Sequence, residues 1–375
     1  MSFKVLIVPD KFKGTLTARA AARTIAKGWS KVRTSDSVHP CPMSDGGDGF
    51  GEVISALFGA KVQMTKTVDA AHRTITAHWW WEPRKKIAII ESASVIGLAK
   101  LPPGRFHPFE LDTLGLATMV RAAAAKGAKR CLIGIGGSAT NDGGFGLARG
   151  LGWEFLDAAG DSIERWTQLH RLVRVRSPRE IHWFDETLVA VDVRNPLLGP
   201  RGASRIYGPQ KGLRKEDFKA SERCLRRLAR VVKKQFATDV VRMPGAGAAG
   251  GLGFGLLAFM GARLEPGFDL FVRYSKLEQQ LKTADLVVTG EGSIDKSTLM
   301  GKGVGQLAKR CRKLKIPCLG IAGMIGAGVG ERRVFNQLHA LTDFTTLSEA
   351  KARPAFWLER LASESAKQFL ETSQV

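Results

Sequence analysis

The chain has 375 residues, of which 44% are hydrophobic and 25% are charged, and this composition excludes a disordered or fibrous protein. Its length exceeds what one hydrophobic core usually supports, so two domains are expected. The formal net charge of +22 favours anionic partners, but charge alone does not choose among phosphorylated metabolites, nucleic acid and a membrane surface.

A β–α–β unit is predicted at the N-terminal end. The segment from Phe3 to Val8 is apolar without polar alternation, as in a strand buried on both faces of a parallel sheet. Thr17 is a suitable N-cap for a helix from Ala18 to Lys31, and a second strand follows near Val38 to Met43.

Antiparallel strands are predicted next. The segments from Lys61 to Asp69 and from Thr74 to Trp81 alternate in polarity around a tight connection, and Lys86 to Glu91 forms a third strand. Further along, we predict a helix that is capped by Asp112 and ends at Lys126, and then a strand from Arg130 to Ile135.

The basic stretch from Arg201 to Arg242 contains a predicted amphipathic helix from Glu216 to Ala237. Its apolar residues form one stripe, so we interpret its many lysines and arginines as a solvated face. The tryptophans at positions 79 to 81 are likewise interpreted as packing residues rather than as a stacking platform.

The uncharged stretch from Pro244 to Ala262 has the length of a membrane span. It contains seven glycines and one proline, and no second stretch of this kind exists to pack against it. We therefore predict a glycine-rich loop that leads into a buried helix, and no association with a membrane.

The alternation of parallel strands and helices returns at the C-terminal end. Strands are predicted at Asp285 to Thr289, Ile316 to Ala322 and Leu338 to Thr342, with helices at Gly303 to Leu314 and about Val329 to Asn336. We therefore expect an α/β protein in which residues 1–61 and 266–375 form one parallel-sheet domain. Residues 62–265 would form an inserted α/β domain with a mixed sheet.

The five cysteines are odd in number, and no two of them form a Cys-x-x-Cys pair. This pattern gives neither a disulfide framework nor a zinc site, and it fits a reducing compartment. The first apolar run, Val5 to Val8, is too short for the core of a signal peptide. We expect a cytoplasmic protein.

Two loops near the N-terminus follow predicted strands, at the edge where open α/β sheets place their ligands. The first loop offers Asp10, Lys11 and Lys13 for ligand binding. The second offers Asp45 and Asp48, whose carboxylates suit Mg²⁺ or proton transfer from a hydroxyl. An ordinary polar loop and a turn with capping aspartates are the alternatives.

A third loop, from Ile135 to Gly146, joins a strand to a helix and is rich in glycine. Its backbone N–H groups could hold a phosphate or a carboxylate, and the alternative is a structural turn. It lacks both the Walker A sequence and the dinucleotide-binding fingerprint. The candidate ligand-binding residues in this loop are Gly136, Gly137, Ser138, Thr140 and Asn141.

Two further loops complete the set. The long stretch from Val191 to Lys211 contains Asp192, Asn195, Arg201 and Lys211, and its alternative is a surface excursion. The segment from Val288 to Lys302 contains Glu291, Asp295 and Lys302. Acids for a metal, lysines for charge and glycines for close backbone approach recur at strand ends, which favours phosphoryl transfer.

In this order, the loops resemble those of the type I glycerate kinase family, and the resemblance covers nearly the full chain. The segments that carry it are PDKFKGT at Pro9, MSDGGDG at Met43, IGGSATNDGG at Ile135, DVRNPLLGPRGA at Asp192, YGPQKG at Tyr207, PGAGAAGGLG at Pro244 and TGEGSID at Thr289. The resemblance implies a flavodoxin-like domain formed by both chain ends and an inserted second α/β domain.

The resemblance also implies transfer of phosphate from ATP to D-glycerate with Mg²⁺, giving 2-phosphoglycerate or 3-phosphoglycerate. It further implies that the matched loops line a cleft between the domains. The sequence departs from the family pattern at Lys11, at Leu116 to Thr118 and at Ser297, which leaves the acceptor open. A homo-oligomer is compatible with the sequence, which leaves the oligomeric state open.

Within this hypothesis, Asp45, Asp192 or Asp295 supplies the base, and the metal ligands come from Asp45, Asp48 and Asp295. Lys13, Lys211 and Lys302 would neutralise charge on the transferred group. One alternative is a kinase of the same fold that acts on another small hydroxy acid. The distant alternative, a nucleic-acid-binding protein, rests on the net charge alone, and no nucleic-acid recognition motif is visible.

Overall fold

The computed structural model describes residues 2–179, 182–299, 302–326 and 334–372, and elements are numbered along the chain. The chain divides into two compact units. A terminal unit comprises Met1–Asp45 and Phe268–Val375, and an inserted unit comprises Gly46–Gly267. The first junction between the two units lies between Asp45 and Gly46, earlier than the predicted junction between residues 61 and 62. The reason is that α2 (Phe50–Phe58) packs against strands of the inserted unit.

The terminal unit contains a five-stranded sheet in the order β13-β12-β11-β1-β2, with every neighbouring pair parallel. This is the flavodoxin-like strand order, so the α/β fold class is confirmed. The strands are β1 (Lys4–Pro9), β2 (Ser37–Pro40), β11 (Leu286–Ile294), β12 (Cys318–Ile325) and β13 (Gln337–Ala340).

The helices of this unit cover the sheet and begin with α1, which is capped as expected. The Thr17 hydroxyl accepts a hydrogen bond from the backbone N–H of Ala20. The helices are α1 (Ala18–Val32), α9 (Gly267–Ser275), α10 (Leu277–Leu281), α11 (Lys296–Leu299), α12 (Gly303–Leu314), α13 (Leu347–Ala352) and α14 (Pro354–Thr372).

Several strand ends differ from the expected ones. The structure ends β2 at Pro40, although the backbone N–H groups of Cys41 and Met43 still donate to β1. β11 continues to Ile294 because β12 pairs with it along this length. The predicted helix from Val329 lies outside the described residues up to position 333, and Asn336 is not helical.

The inserted unit contains a mixed six-stranded sheet in the order β10-β9-β6-β5-β4-β3. β3 pairs antiparallel with β4 and β4 with β5, as predicted. The remaining neighbours pair parallel, which gives the mixed sheet that was expected. Its strands are β3 (Lys61–Val68), β4 (Thr74–Glu82), β5 (Ile87–Glu91), β6 (Arg130–Gly134), β9 (Glu186–Val191) and β10 (Arg263–Pro266), and a separate hairpin pairs β7 (Glu154–Leu156) with β8 (Arg174–Arg176).

The helices of the inserted unit surround an extended apolar core that contains Trp79 and Trp81, and Trp80 is buried as well. The helix predicted to follow Asp112 begins later, at Gly115, while the Asp112 carboxylate accepts a hydrogen bond from the N–H of Leu114. That helix is α4 (Gly115–Ala125). Besides α2, the unit also contains α3 (Ala93–Ile96), α5 (Phe145–Gly150), α6 (Ala203–Tyr207), α7 (Asp217–Phe236) and α8 (Ala248–Met260).

The stretch from Pro244 to Ala262 forms a loop that leads into α8, which is buried along most of its length. This agrees with the predicted glycine-rich loop and helix. Among the described residues, no helix combines the length and apolar character required to cross a bilayer.

The contact between α1 and α14 is closest at Gly28. A Cβ atom at Gly28 would lie 2.3 Å from the backbone oxygen of Glu359 and 2.9 Å from Cβ of Ala362. The Ser363 hydroxyl also donates a hydrogen bond to the Gly28 carbonyl, at 2.8 Å. The absent side chain therefore sets the spacing of the two helices.

We expect Gly28→Ala to lower the free energy of unfolding by about 1–3 kcal/mol, because the helices must separate. In an unobstructed helix the same change would stabilise by about 1 kcal/mol. Urea denaturation measures the change, with Ser30→Ala on the exposed face of α1 as the control. A more stable Gly28→Ala protein would contradict this close packing.

Candidate active site

Three buried carboxylates meet at one edge of the terminal sheet. Asp10 follows β1, Asp45 comes after β2, and Glu291 lies within β11, and each of these residues is 9% exposed. Because β1, β2 and β11 run parallel, their carboxyl ends share the edge where open α/β sheets bind ligands. We call Asp10, Asp45 and Glu291 the carboxylate cluster.

The carboxylate cluster is electrostatically strained. Burial raises the pKa of Asp10 to about 8, and the neighbouring charge of Asp45 acts in the same direction. The backbone N–H of Lys11 donates to Oδ1 of Asp10 at 2.7 Å and opposes the shift. Negative charge concentrated in this way is stabilised by a bound cation or by a retained proton.

Glu291 is positioned by a threonine that the sequence analysis did not single out. The Thr298 hydroxyl donates to Oε1 of Glu291 at 2.8 Å and accepts from the N–H of Asp295 at 3.2 Å. Lys302 Nζ lies 4.0 Å from Oε2 of Glu291. Burial raises the pKa of Glu291, while Thr298 and Lys302 oppose that rise.

The N-terminus of α12 also lies beside the cluster. A Cβ atom at Gly303 would lie 2.8 Å from Sδ of Met43 and 3.6 Å from Cβ of Asp45. The positive end of a helix dipole favours a nearby carboxylate. The backbone of Lys13 approaches β11 at Gly292, while its side chain is exposed and that of Lys11 is half-buried.

The glycine-rich loop after β6 belongs to the inserted unit and contacts the chain just after Asp45. A Cβ atom at Gly136 would lie 2.6 Å from Cα of Gly47. One at Gly137 would lie 2.0 Å from Oδ1 of Asp48. Asp48 therefore lies against the glycine loop. The sequence analysis grouped Asp45 and Asp48 as metal ligands, but the two residues belong to different units.

The polar side chains of this loop are buried among one another. The Ser138 hydroxyl lies 3.0 Å from that of Thr140. Asn141 is fully buried and donates through Nδ2 to the hydroxyls of Ser204 and Ser221, at 3.0 and 2.8 Å. These contacts hold the loop, whereas Gly137 is exposed and Gly136 half-buried.

Lys211 is also buried. Its Nζ donates to the backbone oxygen of Thr140 at 2.7 Å, and the side chain is inaccessible within the inserted unit. Burial lowers the pKa of Lys211 to about 7, and the charge of Asp142 opposes this shift. The amine of Lys211 thus bonds to the glycine loop, and its expected role in neutralising a transferred phosphate stays a prediction.

Asp142, which the sequence analysis did not select, is the buried acid of this loop. Its Oδ2 accepts from the N–H and the hydroxyl of Thr113 and from the N–H of Gly146, at 3.0, 2.7 and 2.9 Å. Burial raises its pKa to about 6. The position of Asp142 next to Asn141, in the glycine-rich segment, is the sequence feature that could have identified it. No sequence feature pointed to Thr113.

The loop from Pro244 packs on the glycine loop through backbone atoms. A Cβ atom at Gly250 would lie 1.9 Å from the oxygen of Thr140, and the N–H of Gly143 donates to the oxygen of Gly250 at 3.1 Å. Gly250 has φ of +70°, in the left-handed region. Only glycine adopts this positive φ readily and also lacks the Cβ atom that would collide with Thr140.

The loop after β9 contacts the loop from Pro244. The N–H of Gly247 donates to the oxygen of Asn195 at 2.9 Å, and Nδ2 of Asn195 donates to the oxygen of Arg201 at 2.8 Å. The Tyr207 hydroxyl donates to Oδ1 of Asn195 at 2.6 Å. Asn195 therefore shapes the loop, while Asp192 and the side chain of Arg201 are exposed.

The candidate residues thus form two groups, one in each unit. Asp10, Lys11, Asp45, Glu291, Asp295 and Lys302 belong to the terminal unit. The glycine loop, Asp192, Asn195, Arg201 and Lys211 belong to the inserted unit. Within the described ranges, no set of three histidine, cysteine or acidic residues is arranged to hold a metal ion by itself. The expected common cleft stays a prediction.

Comparison with known proteins identifies the family of the chain. The model of the Glycerate kinase family matches residues 5–370. The chain belongs to the glycerate kinase family.

Named relatives of this family cover almost the whole chain. It is 35% identical to a glycerate kinase of Halalkalibacterium halodurans, over 96% of this chain and 97% of that one. It is 37% identical to the glycerate 2-kinase of Escherichia coli K12, over 92% and 93% of the two chains.

A solved structure extends the likeness to the fold. The crystal structure assigned to glycerate kinase 2 of Salmonella typhimurium LT2 has a TM-score of 0.85 and 30% sequence identity, and each chain is fully covered. Membership of the glycerate kinase family identifies the protein as a kinase, which is a phosphotransferase.

The departures from the family pattern lie in different surroundings. Leu116 and Ala117 are buried in α4 and contribute to the apolar core. Thr118 is exposed on the same helix, and Lys11 is half-buried next to Asp10. Lys11 therefore lies beside the carboxylate cluster, and the third departure, Ser297, lies in α11 directly before Thr298, which bonds to Glu291.

We expect the buried amine of Lys211 to make stability depend on pH. Its pKa in the folded protein, about 7, lies below the ordinary lysine pKa of 10.5. Between these values the unfolded chain binds more protons, so stability increases as the pH rises. From pH 7 to 9.5 the wild type should gain about 2–3 kcal/mol relative to Lys211→Met.

Chemical denaturation of both proteins across this range measures the difference. Comparison with Lys211→Met cancels groups that titrate equally in the two proteins. The exposed Lys215→Met on the same segment is the matched control and should follow the wild type. Parallel curves for the wild type and Lys211→Met would contradict the burial of this amine.

Proposed function

We propose that this protein is an ATP-dependent glycerate kinase, which transfers the γ-phosphate of ATP to a hydroxyl of D-glycerate and requires Mg²⁺. The carboxylate cluster at the carboxyl edge of a flavodoxin-like sheet, in a chain of the glycerate kinase family, carries the proposal. The glycerate 2-kinase among its relatives supports 2-phosphoglycerate as the product rather than 3-phosphoglycerate.

The donor chemistry of the carboxylate cluster fits Mg²⁺. This ion prefers oxygen donors, and in kinases it usually takes one or two carboxylates and completes its shell with water and phosphate oxygens. Asp10 and Asp45 provide such a pair at one strand edge, and their repulsion is relieved by a divalent cation. When bound there, Mg²⁺ would neutralise charge on the phosphates of ATP.

Two lysines are suited to stabilise charge that develops on the transferred group. Lys13 has an exposed side chain on the loop after β1, and Lys302 precedes the first turn of α12. Phosphoryl transfer depends mainly on positioning and charge neutralisation, so a cation on either side of the group would contribute directly.

The acceptor must also be held and deprotonated. The exposed backbone at Gly137 is the part of the glycine loop best suited to receive a carboxylate or phosphate. Asp192 and Asp295 are the candidates for the base. Asp295 lies in the terminal unit next to Glu291, and Asp192 lies after β9. Asparagine substitution of each, with kcat measured, distinguishes them.

An assay of ADP release tests the proposed activity. Purified protein should release ADP only when ATP, Mg²⁺ and D-glycerate are present together, and phosphorus NMR of the product should show a phosphate at position 2. The absence of glycerate-dependent ADP release would refute the proposal, while a 3-phosphate would correct the position.

We expect Asp45→Asn to lower kcat by at least about 10²-fold, because a carboxylate that faces the transferred phosphates is lost. Lys13→Ala should lower kcat by a similar factor if it stabilises the charge in the transition state. Asp161→Asn, on an exposed turn of the inserted unit, is the control and should remain within twofold. Near-normal kcat in either variant removes that residue from the mechanism.

A kinase for another small hydroxy acid remains the second candidate, because Lys11 differs from the family pattern beside the cluster. A panel of hydroxy acids compared by kcat/KM decides between them.

All five cysteines are buried and free, which supports the expectation of a reducing compartment such as the cytoplasm.

A further inference from the structure

A basic cavity of about 640 Å³ lies on the inserted unit, and none of its lining residues is among those assigned above to catalysis or ligand binding. Most of its lining comes from α7. The remaining lining residues are Arg205, on α6, and His170, at the end of the 3₁₀ turn Trp166–Arg171. Its size is within the usual range of small-molecule sites.

The α7 residues that line this cavity follow helical spacing. They recur at intervals of three or four residues, so they share one face of the helix over about 16 Å. They are Lys219, Glu222, Arg223, Arg226, Arg227 and Arg230. The opposite face carries buried residues such as Leu225 and Leu228, which fix the helix on the core.

The charge of the cavity is only partly balanced. Its one acidic lining residue, Glu222, pairs with Arg205 at 2.8 Å and with Arg226 at 3.5 Å. The guanidinium of Arg227 donates to the backbone oxygen of Leu172.

Three cations of α7 remain without an acidic partner among the residues that the structure describes: Lys219, Arg223 and Arg230. Arg223 follows Lys219 by four residues, and Arg230 follows Arg226 by four. Cations at this spacing repel one another, and an anion between them removes the repulsion. Glu222 already pairs with Arg205 and Arg226, so a bound anion would supply the negative charge that these three cations lack.

We propose that this cavity binds a small anion with two or more phosphate groups. Guanidinium groups bind phosphate oxygens in pairs, and five of the six cations are arginines. A single phosphate would not span cations that are up to three helical turns apart. His170 is the lining residue with an aromatic ring, and no tryptophan, tyrosine or phenylalanine is among the lining residues.

Isothermal titration of the full-length protein with inorganic tripolyphosphate, pyrophosphate and phosphate at low salt tests the site. Tripolyphosphate should bind most tightly and phosphate least. Arg223→Gln/Arg230→Gln should weaken tripolyphosphate binding at least about tenfold. The control, Arg312→Gln/Lys313→Gln, removes the same charge from the exposed end of α12 and should stay within twofold of the wild type.

Steady-state kinetics of the same variants separate this site from the nucleotide site. Arg223→Gln/Arg230→Gln should keep its KM for ATP and its kcat within twofold while it loses tripolyphosphate binding. An increase in KM for ATP equal to the loss of binding would place tripolyphosphate at the nucleotide site and overturn the proposal. Equal losses in the control variant would overturn it as well, by showing an effect of net charge.

A single-stranded RNA of about 20 nucleotides is the final comparison. If the arginine substitutions weaken RNA binding but leave tripolyphosphate binding unchanged, the cavity is part of a nucleic-acid surface and the proposal is wrong. Tripolyphosphate binding that depends on Arg223 and Arg230 supports it even if the kinase assay gives no turnover, because the two measurements are independent.

Discussion

Parallel pairing between β1 and β11 is the constraint on which this architecture depends. Val5 pairs with Leu286, so backbone hydrogen bonds join segments from opposite ends of the chain. The Thr289 hydroxyl adds a bond to the oxygen of Val8, at 2.7 Å. This pairing makes one sheet from both ends and leaves residues 46 to 267 to form a unit of their own.

The same pairing generates the chemistry of the terminal unit. Asp10 N–H donates to the oxygen of Gly290 at 2.8 Å, which places Asp10 beside the next residue of β11, Glu291. With Asp45 nearby, the sheet concentrates negative charge in a buried place, and burial is the main cause of the raised pKa of Asp10. Such an arrangement costs stability, because buried carboxylates of like charge repel one another.

The inserted unit uses backbone rather than charge to build its loops. Gly144 and Gly255 approach so closely that a Cβ atom on Gly144 would lie 2.7 Å from Cα of Gly255. Buried Asn141, Asp142 and Lys211 then satisfy the polar groups that this packing encloses. Asn141 and Lys211 are therefore bonded within the unit, whereas Gly137 is exposed.

The sequence alone determined the strand and helix types, the mixed character of the inserted sheet and the family, because apolar periodicity and the glycine-rich loops are local properties. α12 is found at the predicted residues, Gly303 to Leu314. Tertiary structure decided which side chains are accessible. The burial of Lys211 against Thr140 and that of Asn141 against Ser204 arise from residues that are far apart in the chain. Local patterns contain no information about such distant neighbours.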